Sequence, residues 1–141
     1  MFNSSDYIMR QIYQLSQVLT KVIAAVVGLK GKGQSQEVFQ ITNQSLNEHL
    51  KLDIDTLLNL ETEQMIEMLE AKEGMNDENL ERMAELFYSL AHSLNDEQGN
   101  EQKLQMLLQR SLHIYIHIEE KGDIYSIERN HKIQEIEQLL G

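Results

Sequence analysis

The chain has 141 residues, no cysteine, no proline and a formal net charge of −11. Without cysteine there is no disulfide framework, no thiolate zinc site and no cysteine nucleophile. Because 41% of the residues are hydrophobic and no proline interrupts the chain, the composition predicts one all-α domain spanning residues 1–141.

The acidic charge is concentrated in the middle of the chain. Residues 1–52 carry five Lys/Arg and three Asp/Glu (+2), residues 53–100 carry two and thirteen (−11), and residues 101–141 carry five and seven (−2). Binding to phosphates needs clustered Lys and Arg, so we expect no nucleic-acid partner. The longest apolar run, Val22 to Leu29, is shorter than a membrane span, so we also expect no membrane partner. The acidic third is interpreted as a solvated face or as a docking face for a basic protein.

Two helices are predicted in the first fifty residues. The first begins at Ser4 or Ser5, runs to about Val27 and is ended by Gly28. Its predicted buried face comprises Ile8, Ile12, Leu15, Leu19, Val22, Ile23 and Val26. The second runs from Ser35 to about Leu50 and uses Val38, Ile41, Leu46 and Leu50 as its apolar positions.

Two shorter elements follow. Asp53 or Asp55 opens a short turn that extends to Leu60, and Thr62 caps a helix that stops at Gly74. The apolar residues of this helix are Met65, Ile66, Met68 and Leu69.

Residues 80–118 predict a helical hairpin with a turn around Gly99 and a cap at Asn76. The two apolar stripes are Leu80, Met83, Ala84, Phe87, Leu90, Ala91 and Leu94, then Leu104, Leu107, Leu108, Ser111, Leu112, Tyr115 and Ile118. From Leu112 to Ile118 apolar residues also alternate with a strand period, but the preceding helical register favours a helix. Gly122 closes this arm, and Asp123 caps a final helix carrying Ile124, Ile127, Ile133, Ile136 and Leu140.

The hairpin residues Phe87, Leu90, Ala91 and Leu94, followed by Leu104, Leu108 and Ser111, resemble a degenerate tetratricopeptide repeat with one inserted residue near Gly99. The whole chain, with its opening segment Tyr7–Ile12, is similar to a family of small bacterial all-helical proteins of unknown function. The pattern along the chain predicts six or seven helices. The resemblance implies that they pack as antiparallel hairpins in a tetratricopeptide-like, α-solenoid-like bundle. It implies no activity.

Two patterns, one containing histidines and one containing lysines, are candidate binding sites. His113 and His117 share a helical face with Glu120 one turn further, so these residues are a candidate metal site, although they also fit the polar edge of a buried helix. Lys30 and Lys32 precede a helix N-terminus and are a candidate anion site or a plain connector. No catalytic motif is present in the sequence, and no cofactor is expected.

A cluster of methionine and aromatic residues suggests a surface for partners. Met65, Met68, Phe87 and Tyr88 form either an adaptable partner groove or ordinary core. The favoured hypothesis is a non-enzymatic protein-interaction or scaffold module of the bacterial cytoplasm. The alternatives are a small-ligand or metal-binding protein using His113, His117 and Glu120, and a homodimer formed through the apolar first helix.

Overall fold

The computed structural model describes residues 4–29, 35–94, 99–122 and 124–141. These residues form seven α-helices and no strand, which confirms the all-α prediction. The helices are α1 (Ser4–Leu29), α2 (Ser35–Leu50), α3 (Ile54–Asn59), α4 (Thr62–Glu70), α5 (Asp77–Ser93), α6 (Glu101–Lys121) and α7 (Ile127–Leu140). Their buried apolar side chains form one continuous cluster with members on all seven helices.

Helices α5 and α6 form the predicted antiparallel hairpin. The first residue of α5, Asp77, pairs with Lys121 at the end of α6. Near the middle, the buried Ser111 hydroxyl donates to the carbonyl oxygen of Ala84 at 2.7 Å. The small Ala84 and Ser111 side chains let the two helices approach closely. The alternation from Leu112 to Ile118 lies inside α6, so the helical interpretation is confirmed.

Helix α7 packs across the hairpin and starts later than the sequence predicts. Its cap is Ser126, whose hydroxyl accepts from the backbone N–H of Arg129, whereas Asp123 lies outside the described residues. Ile124, which the sequence predicts inside this helix, lies before its first residue, and both Ile124 and Ile127 are exposed. The Arg129 guanidinium donates to Glu81 of α5 at 2.7 Å and to Glu119 of α6 at 2.6 Å, which joins the three helices.

Helix α1 packs against α5, and α2 packs against α1. Leu15, Leu19, Val22, Ile23 and Val26 are buried as predicted, and the helix continues through Gly28 to Leu29. Two predicted core positions are exposed instead: Ile8 at 55% on α1 and Ile41 at 45% on α2. Both residues have the right helical spacing, but no neighbouring helix covers them.

Helices α3 and α4 connect α2 to α5. Asp53 caps α3 by accepting from the backbone N–H of Thr56, which selects Asp53 over Asp55. Thr62 does not cap α4, because the cap position is Glu61 and the Thr62 hydroxyl accepts a hydrogen bond from Arg110 instead. Arg110 also donates to the carbonyl oxygen of Leu60 at 2.7 Å, which fastens α6 to this connection.

Candidate functional site

An open apolar concavity runs between α1 and α2. It has a volume of about 440 Å³ and an open side that faces solvent. Its apolar lining consists of Val18, Val22, Ala25, Val26 and Leu29 from α1 and Ile41 from α2. We call this surface the α1/α2 groove. Ile41 is exposed because it forms the far wall of the groove and no helix packs over it.

The rim of the α1/α2 groove is polar, and none of the described residues that line it is acidic. Gln14, Gln17, Thr42, Ser45, Lys21 and His49 surround the apolar floor. A concave apolar floor with a few polar groups at the edge is typical of surfaces that take apolar side chains of a ligand or partner. The groove lies within the part of the chain that is least acidic.

One end of the groove opens into a second cleft of about 360 Å³. The two cavities share Gln14, Val18 and His49. The second cleft is lined by two lysines, Lys51 and Lys72, in addition to His49. Its carboxylate, Glu73, already accepts a hydrogen bond from the Tyr7 hydroxyl at 3.3 Å. The hydrogen bond from Tyr7 leaves the Glu73 charge in place, so two lysines and one carboxylate give this end of the groove a formal charge of +1, on a chain with a net charge of −11.

Lys51 has an unusual backbone conformation. Its φ angle of +56° makes it the one non-glycine residue with positive φ among the described residues. It follows the last residue of α2, and the next residue, Leu52, donates its N–H to the carbonyl oxygen of Leu46 at 3.4 Å. Glycine is the usual residue at this position of a helix end, because a side chain in the left-handed region is strained. A lysine here places a cation at the mouth of the cleft at some cost in stability.

Helix α1 as a whole exposes an unusual amount of apolar surface. Within the described residues, the segment Ser5–Leu29 is long and apolar enough, by length and composition, to span a membrane. Of its most apolar stretch of 18 residues, 28% is buried in the structure. Core helices of soluble proteins and signal sequences share these properties. What distinguishes α1 is that large apolar side chains such as Met9 and Tyr13 are more than half exposed.

The methionine and aromatic residues predicted as a partner groove lie mostly in the core. Met65 and Phe87 are fully buried, Tyr88 is 9% exposed, and Met68 alone is exposed, at 39%. The Tyr88 hydroxyl donates to Glu135, and the ammonium of Lys132 lies 4.0 Å from the centre of the Tyr88 ring. Burial first, and then the Glu135 carboxylate, raises the pKa of Tyr88. This side chain therefore holds α7 against α5 and is closed to a partner.

The three residues predicted as a metal site have separate surroundings. The His113 Nδ1 lies 3.2 Å from the Thr62 hydroxyl, and the His117 Nε2 lies 3.2 Å from the Glu70 carboxylate. Glu120 is exposed. In the part of the chain that the structure describes, no three His, Cys, Asp or Glu side chains lie together as a metal-binding group. Both histidines instead join α6 to α4.

His117 lies beside a group of charged side chains that link α4, α5 and α6. The Lys121 ammonium donates to Glu70 at 2.8 Å, and this contact holds the pKa of the Glu70 carboxyl below its ordinary value against the opposing effect of partial burial. Lys121 also lies 2.8 Å from Asp77. The carboxylate of Glu70 is thus shared by two basic groups, as in a surface ion-pair network that links α4, α5 and α6.

Burial lowers the pKa of His113, with a smaller contribution from Arg110. The neutral imidazole is therefore favoured at neutral pH. The predicted anion residues Lys30 and Lys32 lie outside the described residues.

Comparison with known proteins identifies no relative: no family model matches the chain, and neither a curated protein nor a solved structure matches it. The assignment of function therefore depends on the geometry of the α1/α2 groove and its cationic end.

Sequence reasoning missed both features, for different reasons. Helical periodicity predicts Ile41 as a core residue because it cannot tell whether another helix covers that position. Lys51 and Lys72 are distant in the sequence and form no motif, and they meet only because α2 ends beside the turn between α4 and α5. An isolated lysine directly after a helix, where glycine is usual, is the one local signal for this site.

Proposed function

We propose that the protein is a non-enzymatic interaction module that binds an amphipathic helix of a protein partner in the α1/α2 groove. The observation that carries this proposal is the open apolar floor, which joins a cationic cleft at one end. The same proposal includes the tetratricopeptide-like packing of the α5–α6 hairpin and a location in the bacterial cytoplasm.

The dimensions of the groove support a helical partner. Its lining extends along α1 from Gln14 to Leu29, which is about 22 Å at a rise of roughly 1.5 Å per residue. A partner helix of about four turns spans this length and presents apolar side chains at intervals of three and four residues. Val18, Val22 and Ile41 provide the surface that such side chains would cover.

The charge of the cleft defines the chemistry of the partner. Lys51 and Lys72 favour a carboxylate, so the partner helix bears an acidic residue at the end that lies beside them. The negative end of the helix dipole, its C-terminus, is favoured at the same place. The backbone strain at Lys51 is consistent with a lysine retained for binding, since a glycine would give a more stable helix end.

Two adjacent alanines of α1 provide a matched test. Ala25 lines the groove, whereas Ala24 is exposed on another face of the same helix. A photo-crosslinking amino acid at residue 25, used in cells, should capture a partner whose crosslinked residue, located by mass spectrometry, belongs to an amphipathic helix. The same group at residue 24 should not capture it.

Binding measurements with the crosslinked peptide complete the test. Ala25→Glu should abolish binding, Ala24→Glu should leave it unchanged, and Lys51→Ala and Lys72→Ala should each weaken it by roughly threefold. Equal capture from residues 24 and 25, or full binding by Ala25→Glu, would contradict the proposal. Circular dichroism of each variant checks that the helices remain folded.

A further inference from the structure

Helix α1 has a second surface, separate from the α1/α2 groove, that no other helix among the described residues covers. It is the stripe of residues Met9, Tyr13, Ser16, Thr20, Ala24 and Val27, which we call the outer face of α1. Met9, Tyr13 and Val27 are 64%, 63% and 56% exposed. Thr20 and Ala24 are also exposed, and Ser16 is half-buried.

The spacing of the outer face is that of a helix-packing surface. Its members recur every three or four residues, so at about 100° per residue they lie on one side of α1. The two charged residues between Met9 and Val27 are Arg10 and Lys21, and both project from the neighbouring side of the helix. An uncharged stripe of this length is a surface that a second helix can cover without burying an ion.

We propose that the occupant of the outer face is α1 of a second copy of this chain, packed antiparallel about a twofold axis near residue 18. The order of side-chain sizes supports this choice. In that arrangement Tyr13 faces Ala24 of the second copy, Met9 faces Val27, and Ser16 faces Thr20. Large side chains meet smaller ones, and the small residues at the centre allow the helices to approach closely.

The charge distribution also favours self-association at this face. Two identical chains of charge −11 repel each other, and the repulsion is smallest where the acidic residues are fewest. Helix α1 carries Arg10 and Lys21 against Asp6, a net charge of +1. The region from residue 53 to residue 100, which carries −11, contributes no residue to the outer face.

The area of the outer face sets the expected strength of the dimer. With a length of about 27 Å and a width of about 10 Å, the stripe buries roughly 270 Å² per copy, or about 540 Å² in total. This total lies below the roughly 1,200 Å² at which stable interfaces begin. The dimer is therefore expected to be weak and to dissociate on dilution.

The absence of cysteine from the natural chain makes a crosslinking test clean. Met9→Cys and Val27→Cys chains should form a disulfide-linked dimer when they are mixed under mild oxidation. Neither variant should crosslink alone. In the antiparallel arrangement the cysteine of one chain lies about 27 Å, measured along the helix, from the same cysteine of the second chain. A mixture containing Gln109→Cys, an exposed position on α6, should give no specific product.

Light scattering over a range of concentrations measures the dimer without any crosslink. The mass of the unmodified chain should rise from 16.4 kDa toward twice that value, and Ala24→Glu should keep the monomer mass. Ala25→Glu, the groove variant, should still dimerise. This reciprocal pair separates failure of the dimer from failure of the groove proposal.

Several outcomes would overturn the dimer. A chain that stays monomeric at millimolar concentration has no such interface. Self-crosslinking of Met9→Cys indicates a parallel pairing and contradicts the proposed symmetry. Monomeric binding to phosphatidylcholine vesicles that Ala24→Glu abolishes would assign the outer face to a lipid surface instead.

Discussion

Gly74 lies so close to Gln11 that no side chain fits between them. A Cβ atom at residue 74 would stand 2.5 Å from the backbone carbonyl oxygen of Gln11, and the φ angle of Gly74 is +83°. The turn before α5 is thus seated directly on the first part of α1. This contact fixes the position of α1, and with it both surfaces proposed for binding.

Gly74→Ala should destabilise the protein by about 2–3 kcal/mol, because the substitution combines left-handed backbone strain with a collision against backbone. Urea unfolding followed by circular dichroism measures the change. Gly99→Ala is the matched control: its φ is +88°, but nothing lies within 4 Å of the added Cβ. If the two variants lose the same stability, the contact with Gln11 contributes nothing.

Asn79 is a fully buried polar residue that joins α1 to the same turn. Its side-chain amide donates to the carbonyl oxygens of Ile12 at 3.0 Å and Gly74 at 2.8 Å. Asn79→Ala should cost about 1–3 kcal/mol because buried groups lose their partners. Asn100→Ala provides the comparison, since Asn100 makes no side-chain capping bond to α6. Equal unfolding free energies for the two variants would contradict a structural role of the Asn79 amide.

Lys51→Gly should separate stability from binding. Glycine relieves the left-handed strain at this position and should raise the free energy of unfolding by about 1 kcal/mol. The same substitution removes a cation of the cleft and should weaken partner binding. Lys51→Ala should weaken binding equally without the gain in stability. A Lys51→Gly chain no more stable than Lys51→Ala would show that the backbone is unstrained.

The Asp53 cap makes the stability of α3 depend on pH. The Asn43 side-chain amide donates to its carboxylate at 2.8 Å, and the backbone N–H of Thr56 donates at 3.0 Å. Both bonds lower the pKa of Asp53 from its ordinary value of 3.8, and the bond from Asn43 has the larger effect. Because the folded-state pKa is depressed, the stabilisation is complete above the unfolded-state pKa and is lost as the pH falls through the folded value.

Asp53→Ala should therefore cost about 1 kcal/mol at pH 7, and the difference from the natural chain should shrink below about pH 3.8. Unfolding free energies at pH 7 and in the acid range measure this. Asp53→Asn retains a capping oxygen without the titration, so its stability relative to Asp53→Ala should vary little with pH. A constant difference between the natural chain and Asp53→Ala across this range would contradict the assignment.

Local signals in the sequence were sufficient for most of the helices. The hairpin of α5 and α6, the cap at Asn76 and the helical state of Leu112–Ile118 were predicted correctly, and the cap of α3, Asp53, is one of the two alternatives, Asp53 and Asp55, that the sequence left open. Each depends on residues within a few positions of one another, so the physical cause is contained in a short segment. The cap of α7 was misplaced, because the aspartate and isoleucine pattern before Ser126 is equally compatible with an earlier helix start.

The amino-acid sequence by itself determined which face of each helix is apolar and where the acidic charge lies. Only the tertiary structure decided which parts of those faces are covered. Met65 and Phe87 became core, Ile41 became the wall of an open groove, and His117 turned toward Glu70 on α4. Periodicity measures the pattern within one helix, whereas burial depends on neighbours that are distant in the chain. For the same reason no local motif predicts that Lys51 and Lys72 line one cleft.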